Sequence, residues 1–244
     1  MAPGGQAGAQ GAAAEADAAL PVRTKAVLEL FTSQSCSSCP PADAMFKSYV
    51  ERKDVLALTF NVDYWDYLGW KDTLASRKNS DRQRAYSKAR GDGMVYTPQV
   101  VVNGITHVKG SDRTAIDGAI EKKARAFLDS QVPVRMWGEK GNLVIDVGPP
   151  RGTSLSAAEG ATIWLAVVQR QVEVAIKQGE NSGRKLVYYN IVREMTPVGM
   201  WSGKPSTIRL ERQAVMRPET DSCAVLIQQG QGGPIIGAAW LANW

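Results

Sequence analysis

Val27-Leu28-Glu29-Leu30-Phe31-Thr32-Ser33-Gln34-Ser35-Cys36-Ser37-Ser38-Cys39-Pro40-Pro41 is the stretch on which the reading of this chain turns. A short apolar run leads straight into two thiols three positions apart, and two prolines follow. The run has the length and composition of a buried strand, and the Thr-Ser-Gln-Ser cluster ends it. Proline suits the first turn of a helix, where its missing N–H costs no bond. The order therefore places a dithiol at a strand–helix junction. A residue before proline avoids helical geometry, so Cys39 is expected to be extended and the helix to start at about Pro41.

Working outward, Lys25–Phe31 is the strand, and Ala42–Arg52 is helical with Met45, Phe46 and Tyr49 along it. Asp54–Asp63 is a second strand, so strand, helix and strand form a parallel βαβ unit. Thr73–Arg90 reads as a basic helix with a solvated charged face. Tyr96–Gly104 is a strand entered through Thr97–Pro98 and left through Asn103–Gly104, a strong hairpin signal that pairs it with Ile105–Lys109. Ser111 is expected to cap a helix through about Leu128, with Ile116, Ile120 and Phe127 on one face.

The pattern changes at Gln131–Pro133. Val134–Trp137, Leu143–Val147, Ile163–Gln169, Val172–Ile176, Leu186–Thr196, Thr207–Leu210, Ala224–Gln228 and Ile235–Leu241 all read as strands with no helix between them. Three segments follow: an Ala/Gly-rich leader over 1–24, an α/β domain over 25–131, and a mostly antiparallel β domain over 132–244, a sandwich or open barrel. The leader has neither a basic n-region nor an apolar h-region, so it reads as a flexible tail or as the remainder of a removed signal.

Composition narrows the chemistry. Of 244 residues, 29 are Lys or Arg and 24 are Asp or Glu, a net charge of +5 that does not identify a nucleic-acid binder. No apolar run approaches the ~20 residues of a membrane helix. Three cysteines are too few for a disulfide scaffold, and with one histidine a four-ligand zinc site is nearly excluded. The cysteine pattern favours redox chemistry.

Nucleophilic sulfur chemistry needs a thiolate, which a helix N-terminus stabilises. Cys-x-x-Cys spacing lets a second thiol resolve the mixed disulfide formed by the first. Cys36, the N-terminal and more exposed thiol, is the attacking candidate and Cys39 the resolving one. X–Pro is the peptide bond most able to be cis, and Thr97–Pro98 stands at a strand entrance where proline costs no ladder bond. Tyr64, Trp65, Tyr67 and Trp70 follow the second strand at the cysteine end of the sheet. They read as a loop's own packing or as a wall for an apolar substrate. His107 reads as structural or surface, and Cys223, at the start of a late strand, as a small hydrophobe.

Strand, Cys-x-x-Cys, helix, strand, helix, Thr-Pro, strand pair and helix together resemble the thioredoxin fold over residues 25–130. More narrowly, Glu29–Asp43, Val62–Trp70, Tyr96–Gln99 and Gly199–Trp201 resemble an uncharacterised bacterial family, the domain-of-unknown-function group numbered 1223, whose members are thioredoxin-like and often exported. The resemblance implies a cis Thr97–Pro98 bond beside Cys36, a family-specific C-terminal β domain, and a periplasmic or secreted location, with the cytoplasm as the alternative. Ser35 stands where glycine is expected before the first cysteine. Thioredoxin carries a buried acid one residue nearer its first cysteine than Glu29 is here. Glu29 is therefore a candidate general base for the resolving thiol, or an acid paired with a Lys or Arg.

The leading expectation is a thiol–disulfide oxidoreductase with no cofactor. Its catalytic set is Cys36, Cys39, Pro98 and Glu29, and Thr97, Tyr64 and Trp65 bind substrate. Its partners would be protein or small-molecule disulfides and dithiols, with a redox partner protein but no nucleic acid or membrane span. The alternatives are a Cu(I)-binding module using Cys36 and Cys39, with Met94 approaching in space, and a non-catalytic interaction protein.

Overall fold

The computed structural model describes residues 24–150 and 160–243, so the leader lies outside the described residues up to residue 23. Strand β1 (Ala26–Thr32) is buried along its whole length and runs parallel to β2 (Val55–Asn61), with helix α1 (Pro40–Val50) between them in sequence. On the other side of β1, β3 (Gln99–Val102) pairs antiparallel, and β4 (Thr106–Lys109) closes the hairpin. The turn is the expected one: Asn103 and Gly104 both take positive φ. Asn103 also ties that turn to β1, accepting the Val27 N–H on its side chain at 2.7 Å.

Helices α2 (Arg77–Arg90) and α3 (Arg113–Ser130) complete this half. The cap of α3 is Asp112 rather than Ser111, its carboxylate accepting the Ala115 N–H at 2.9 Å. Aspartate one residue later serves as well as serine, and the last extended residue takes the role.

The second half is all strand but for a one-turn helix, α4 (Arg212–Val215). Strands β5 (Val134–Glu139), β6 (Asn142–Val147) and β9 (Ser206–Glu211) form a separate antiparallel sheet. The two strands expected over 163–169 and 172–176 are a single one, β7 (Ala161–Ala175), paired with the long β8 (Lys185–Trp201). Strands β10 (Ser222–Gln229) and β11 (Ile235–Ala242) extend the same sheet. The order is β11-β10-β7-β8-β2-β1-β3-β4, a mixed sheet that draws strands from both sides of residue 131 and does not close. Its junction, β8 on β2, is a single parallel ladder position at Thr59–Ile191. Side chains reinforce it: Thr59 Oγ1 donates to the Tyr189 carbonyl at 2.7 Å, and Asn190 donates to that of Ala57 at 3.0 Å.

The strand alternation sorts the core. Leu28 and Leu30 face α1 and α3, packing on Phe46, Tyr49, Ile116 and Ile120. Val27 and Phe31 face the other way, toward Phe60, Tyr86 and Leu226. The small sheet packs Leu143, Ile145 and Val147 on Ile163, Val225 and Ile227.

Helix α2 is not simply a solvated basic helix, because its inner face is polar and buried. Arg82 donates to the buried Glu29 carboxylate at 2.7 Å and to Gln228 at 3.0 Å, and Tyr86 donates to the second Glu29 oxygen. Arg82 also lies over the Phe60 and Tyr86 rings. This network joins β1, α2 and β10 in the core. Removing one partner strands the other charge in a dry site. Glu29→Ala is therefore expected to cost about 3 kcal/mol in urea unfolding, and Glu29→Gln, which keeps an acceptor, less.

Candidate redox site

The loop from Ser33 to Cys39 is built by local turns. The Cys36 N–H donates to the Ser33 carbonyl and the Cys39 N–H to that of Cys36, each at 3.2 Å. Cys36 and Cys39 are joined as a disulfide with Cα atoms 5.4 Å apart. Helix α1 begins at Pro40, and Cys39 has helical φ and ψ rather than the extended geometry expected before proline. The bias against helical geometry there is a preference, and it yields to the bonds that fix Cys39. Its carbonyl accepts the N–H groups of Ala42 and Asp43, at 2.9 and 3.1 Å. Cys36 keeps 5% of its exposure and Cys39 none, so the order matches expectation but Cys36 is far more covered than a free attacking thiol. The glycine expected at position 35 is not needed, since Ser35 has no positive φ and its hydroxyl donates to the Trp70 carbonyl at 2.6 Å.

The floor of the loop is polar. Asp72 accepts the Gln34 N–H at 2.7 Å, the Asn61 amide at 3.0 Å and the Leu74 N–H at 2.8 Å. Burial nonetheless raises its carboxyl above the ordinary range. The Gln34 side chain accepts from Trp70 Nε1 at 2.8 Å, so the 70–74 segment wraps around it. Asp43, fully covered in the first turn of α1, accepts from Thr32 Oγ1 at 2.7 Å on one oxygen. Among the described residues its other oxygen has no hydrogen-bond partner, nor does the buried Tyr188 hydroxyl. Burial pushes the Asp43 carboxyl up to about 8, and the Asp72 charge adds to the effect. The same two carboxylates, after burial, raise Tyr188.

A third element caps the loop from the far half of the chain. The turn between β7 and β8 brings in Asn181, itself 1% exposed. Its amide nitrogen donates to the carbonyls of Gln34 and Cys36, both at 2.9 Å, and its oxygen accepts from Arg184 at 3.2 Å.

The expected residues fall into two groups. Thr97–Pro98 is cis and leads into β3 directly before the register position where Gln99 faces Phe31, at the dithiol end of β1. Pro98 is buried, and a Cβ at Gly110 would come 2.9 Å from its ring, so only glycine fits there. Thr97 Oγ1 accepts from Trp65 Nε1 at 2.8 Å, and Trp65 stacks on the exposed Tyr67. Tyr64 instead reaches inward to Gln83 at 3.1 Å, and burial pushes its hydroxyl up to about 12.

Glu29 takes the second of its two expected roles, an acid paired with an arginine, rather than that of a general base. It lies on the face of β1 with Val27 and Phe31, whereas Thr32, the residue bonded to Asp43, lies on the other. The one-residue offset flips its side chain away from the dithiol, and both oxygens serve Arg82 and Tyr86. The acid on the dithiol side is Asp43, which the sequence signalled only through its place four residues after Cys39, on the same helix face. Asp72 and Asn181 had no such signal.

His107 bonds the Tyr96 hydroxyl at 2.8 Å and Asp92 at 3.2 Å, away from the thiols in sequence and in strand position. Burial and then Arg90 lower its imidazole. Cys223 is wholly buried in β10, and burial pushes its thiol up to about 12. Among the described residues, no group of three or more His, Cys, Asp and Glu side chains is placed to hold a metal ion, and no helix is long and apolar enough to cross a membrane.

The family described as "Protein of unknown function (DUF1223)" matches residues 27–228. Among solved structures, the X-ray structure of protein AGR_C_4864 from Agrobacterium tumefaciens is 37% identical with a TM-score of 0.79. That match covers 91% of this chain and 96% of that one. HBP35 of Porphyromonas gingivalis is similar in fold, with a TM-score of 0.61 at 13% identity over 90% of this chain and 75% of that chain. No curated protein matches the sequence.

Two outcomes are expected of this geometry. Cys223 should resist an aqueous thiol reagent in the native protein and react on unfolding, which a timed labelling assay with and without urea reads directly. Asp43 keeps its proton in the folded state over a pH range where the unfolded chain has lost it. Folding therefore carries a penalty that grows from about pH 4 to about pH 8 and is absent below. Asp43→Asn removes the titration. Its stability relative to the wild type should rise across that window by at least about 1 kcal/mol, the worth of one pKa unit, in urea titrations at several pH values.

Proposed function

This chain belongs to the DUF1223 family, and we propose that it is a thiol–disulfide oxidoreductase in which Cys36 attacks and Cys39 resolves. The observation that carries the reading is the Cys36–Cys39 disulfide at the start of α1, on the sheet end where the cis Thr97–Pro98 bond enters β3. The run from β1 through α1, β2, β3 and β4 to α3 is read as a thioredoxin-like unit, with β7, β8, β10 and β11 added to its sheet. Disulfide chemistry suits an oxidising compartment, so a periplasmic or secreted location is part of the proposal.

In the reduced protein the Cys36 thiolate attacks one sulfur of a substrate disulfide. That S–S bond breaks, its electron pair leaves with the departing sulfur, and a mixed disulfide forms. Cys39 then gives up its proton and attacks the Cys36 sulfur, releasing the second substrate thiolate and leaving the Cys36–Cys39 disulfide. Two electrons pass to the substrate; the reverse sequence oxidises a substrate dithiol. In this reading Asp43 takes the Cys39 proton. It follows Cys39 by one helical turn, has a buried oxygen with no hydrogen-bond partner among the described residues, and has its carboxyl pushed up to about 8. Thr97 and Trp65 would flank the substrate chain, with Tyr67 as the exposed edge of that wall.

Cys39→Ala is expected to accumulate a mixed disulfide with a disulfide-bearing peptide, visible by intact mass. Cys36→Ser should form none, and exchange with glutathione should fall to background. Equal and ordinary reactivity of both thiols, with no exchange, would sink the proposal. Asp43→Asn should slow resolution of the mixed disulfide about tenfold or more at pH 8 and above, where Asp43 is ionised, while leaving its formation unchanged, as read in a stopped-flow thiol-release assay.

A further inference from the structure

The two prolines create an electrostatic problem at the dithiol. A helix start ordinarily offers four free N–H groups to a nearby anion. In α1 the residues at the first two positions are Pro40 and Pro41, which have none, and the next two N–H groups both donate to the Cys39 carbonyl. A thiolate on Cys36 therefore finds the helix dipole but few free donors. The carbonyls of Gln34 and Cys36, meanwhile, turn their negative ends into the buried loop.

We infer that Asn181, from the far half of the chain, is a positioning residue for the dithiol, holding the Gln34 and Cys36 carbonyls so that they do not oppose negative charge on Cys36. Its single amide nitrogen satisfies both, at 2.9 Å each. The amide is oriented from behind by Arg184, which donates to its oxygen at 3.2 Å. The turn that carries it is seated rather than loose. Ile176 and Leu186 on its two flanks pack with Leu74 and Tyr188, and a Cβ on Gly179 would come 3.2 Å from the Leu68 carbonyl. Asn181 thus stabilises the reduced, thiolate form relative to the disulfide, and the C-terminal half tunes a site whose sulfurs belong to the other half. The inference rests on the oxidoreductase reading for its meaning but not for its test.

Wild type, Asn181→Ala, Asn181→Ser and Asn190→Ala are compared by equilibration with the glutathione couple and by ultraviolet titration of the thiolate in phosphine-reduced protein. Asn190 is the control. It too is a buried asparagine of this hairpin donating to a backbone carbonyl, that of Ala57 on β2. Asn181→Ala is expected to shift the glutathione equilibrium about tenfold toward the disulfide, roughly 30 mV more negative for a two-electron couple, and to make Cys36 a weaker acid. Asn181→Ser, which keeps one donor, should shift both in the same direction by less, and it decides the matter if the alanine variant does not fold. Asn190→Ala should lower stability and move neither reading. Asn181 variants that match wild type, or that match Asn190→Ala, would overturn the inference. A wild type that never equilibrates with glutathione would overturn the oxidoreductase reading instead, and the thiolate titration would still decide the role of Asn181.

Discussion

A loop whose first four residues are buried must find partners for their backbone, and that constraint organises this molecule. Ser33, Gln34, Ser35 and Cys36 keep 5% of their exposure or less, so water cannot serve their N–H and C=O groups. The partners come from three places. The turn itself supplies some, Asp72 takes the Gln34 N–H, and Asn181 serves two carbonyls from about 145 residues away. Remove either distant group and a buried polar atom is left alone, at about 1–3 kcal/mol each. The dithiol is therefore a point where separated segments of the chain meet.

The same constraint explains why the carboxyls of Asp72 and Asp43 are buried around this loop. Asp72 must stay where it is to hold the loop, and burial raises its carboxyl; burial first, and Asp72 after it, raises the Asp43 carboxyl and the Tyr188 hydroxyl. Burial thus moves the Asp43 carboxyl to about 8, a range where proton transfer is useful. The prolines act in the opposite sense, removing helix N–H groups that would otherwise favour a thiolate. The balance between them is an electrostatic property of the whole loop, not of the Cys-x-x-Cys spacing.

On the other face of β1 the Glu29–Arg82–Tyr86–Gln228 network ties the first strand to a strand nearly two hundred residues later. It belongs to the architecture, not to the dithiol site. The single sheet that crosses residue 131 has the same consequence: β8 lies against β2, and the turn that precedes β8 can reach the dithiol.

The local features of this protein were legible in its sequence because short-range chemistry dictates them. Alternation and turn residues marked the strands, Asn103–Gly104 the hairpin, and the two thiols their own disulfide spacing. Errors of one residue arose where two local preferences compete. Asp112 displaces Ser111 as a cap, and Cys39 turns helical before proline because its carbonyl is held by Ala42 and Asp43. Glu29 was misplaced for a sharper reason: strand geometry changes faces with every residue, and the side it faces follows from register rather than from composition. Asp72 and Asn181 stand in unremarkable polar segments. Only the tertiary structure decided their part, because a hydrogen bond between a loop and a distant turn depends on where the sheet brings them together, and no spacing along the chain encodes it.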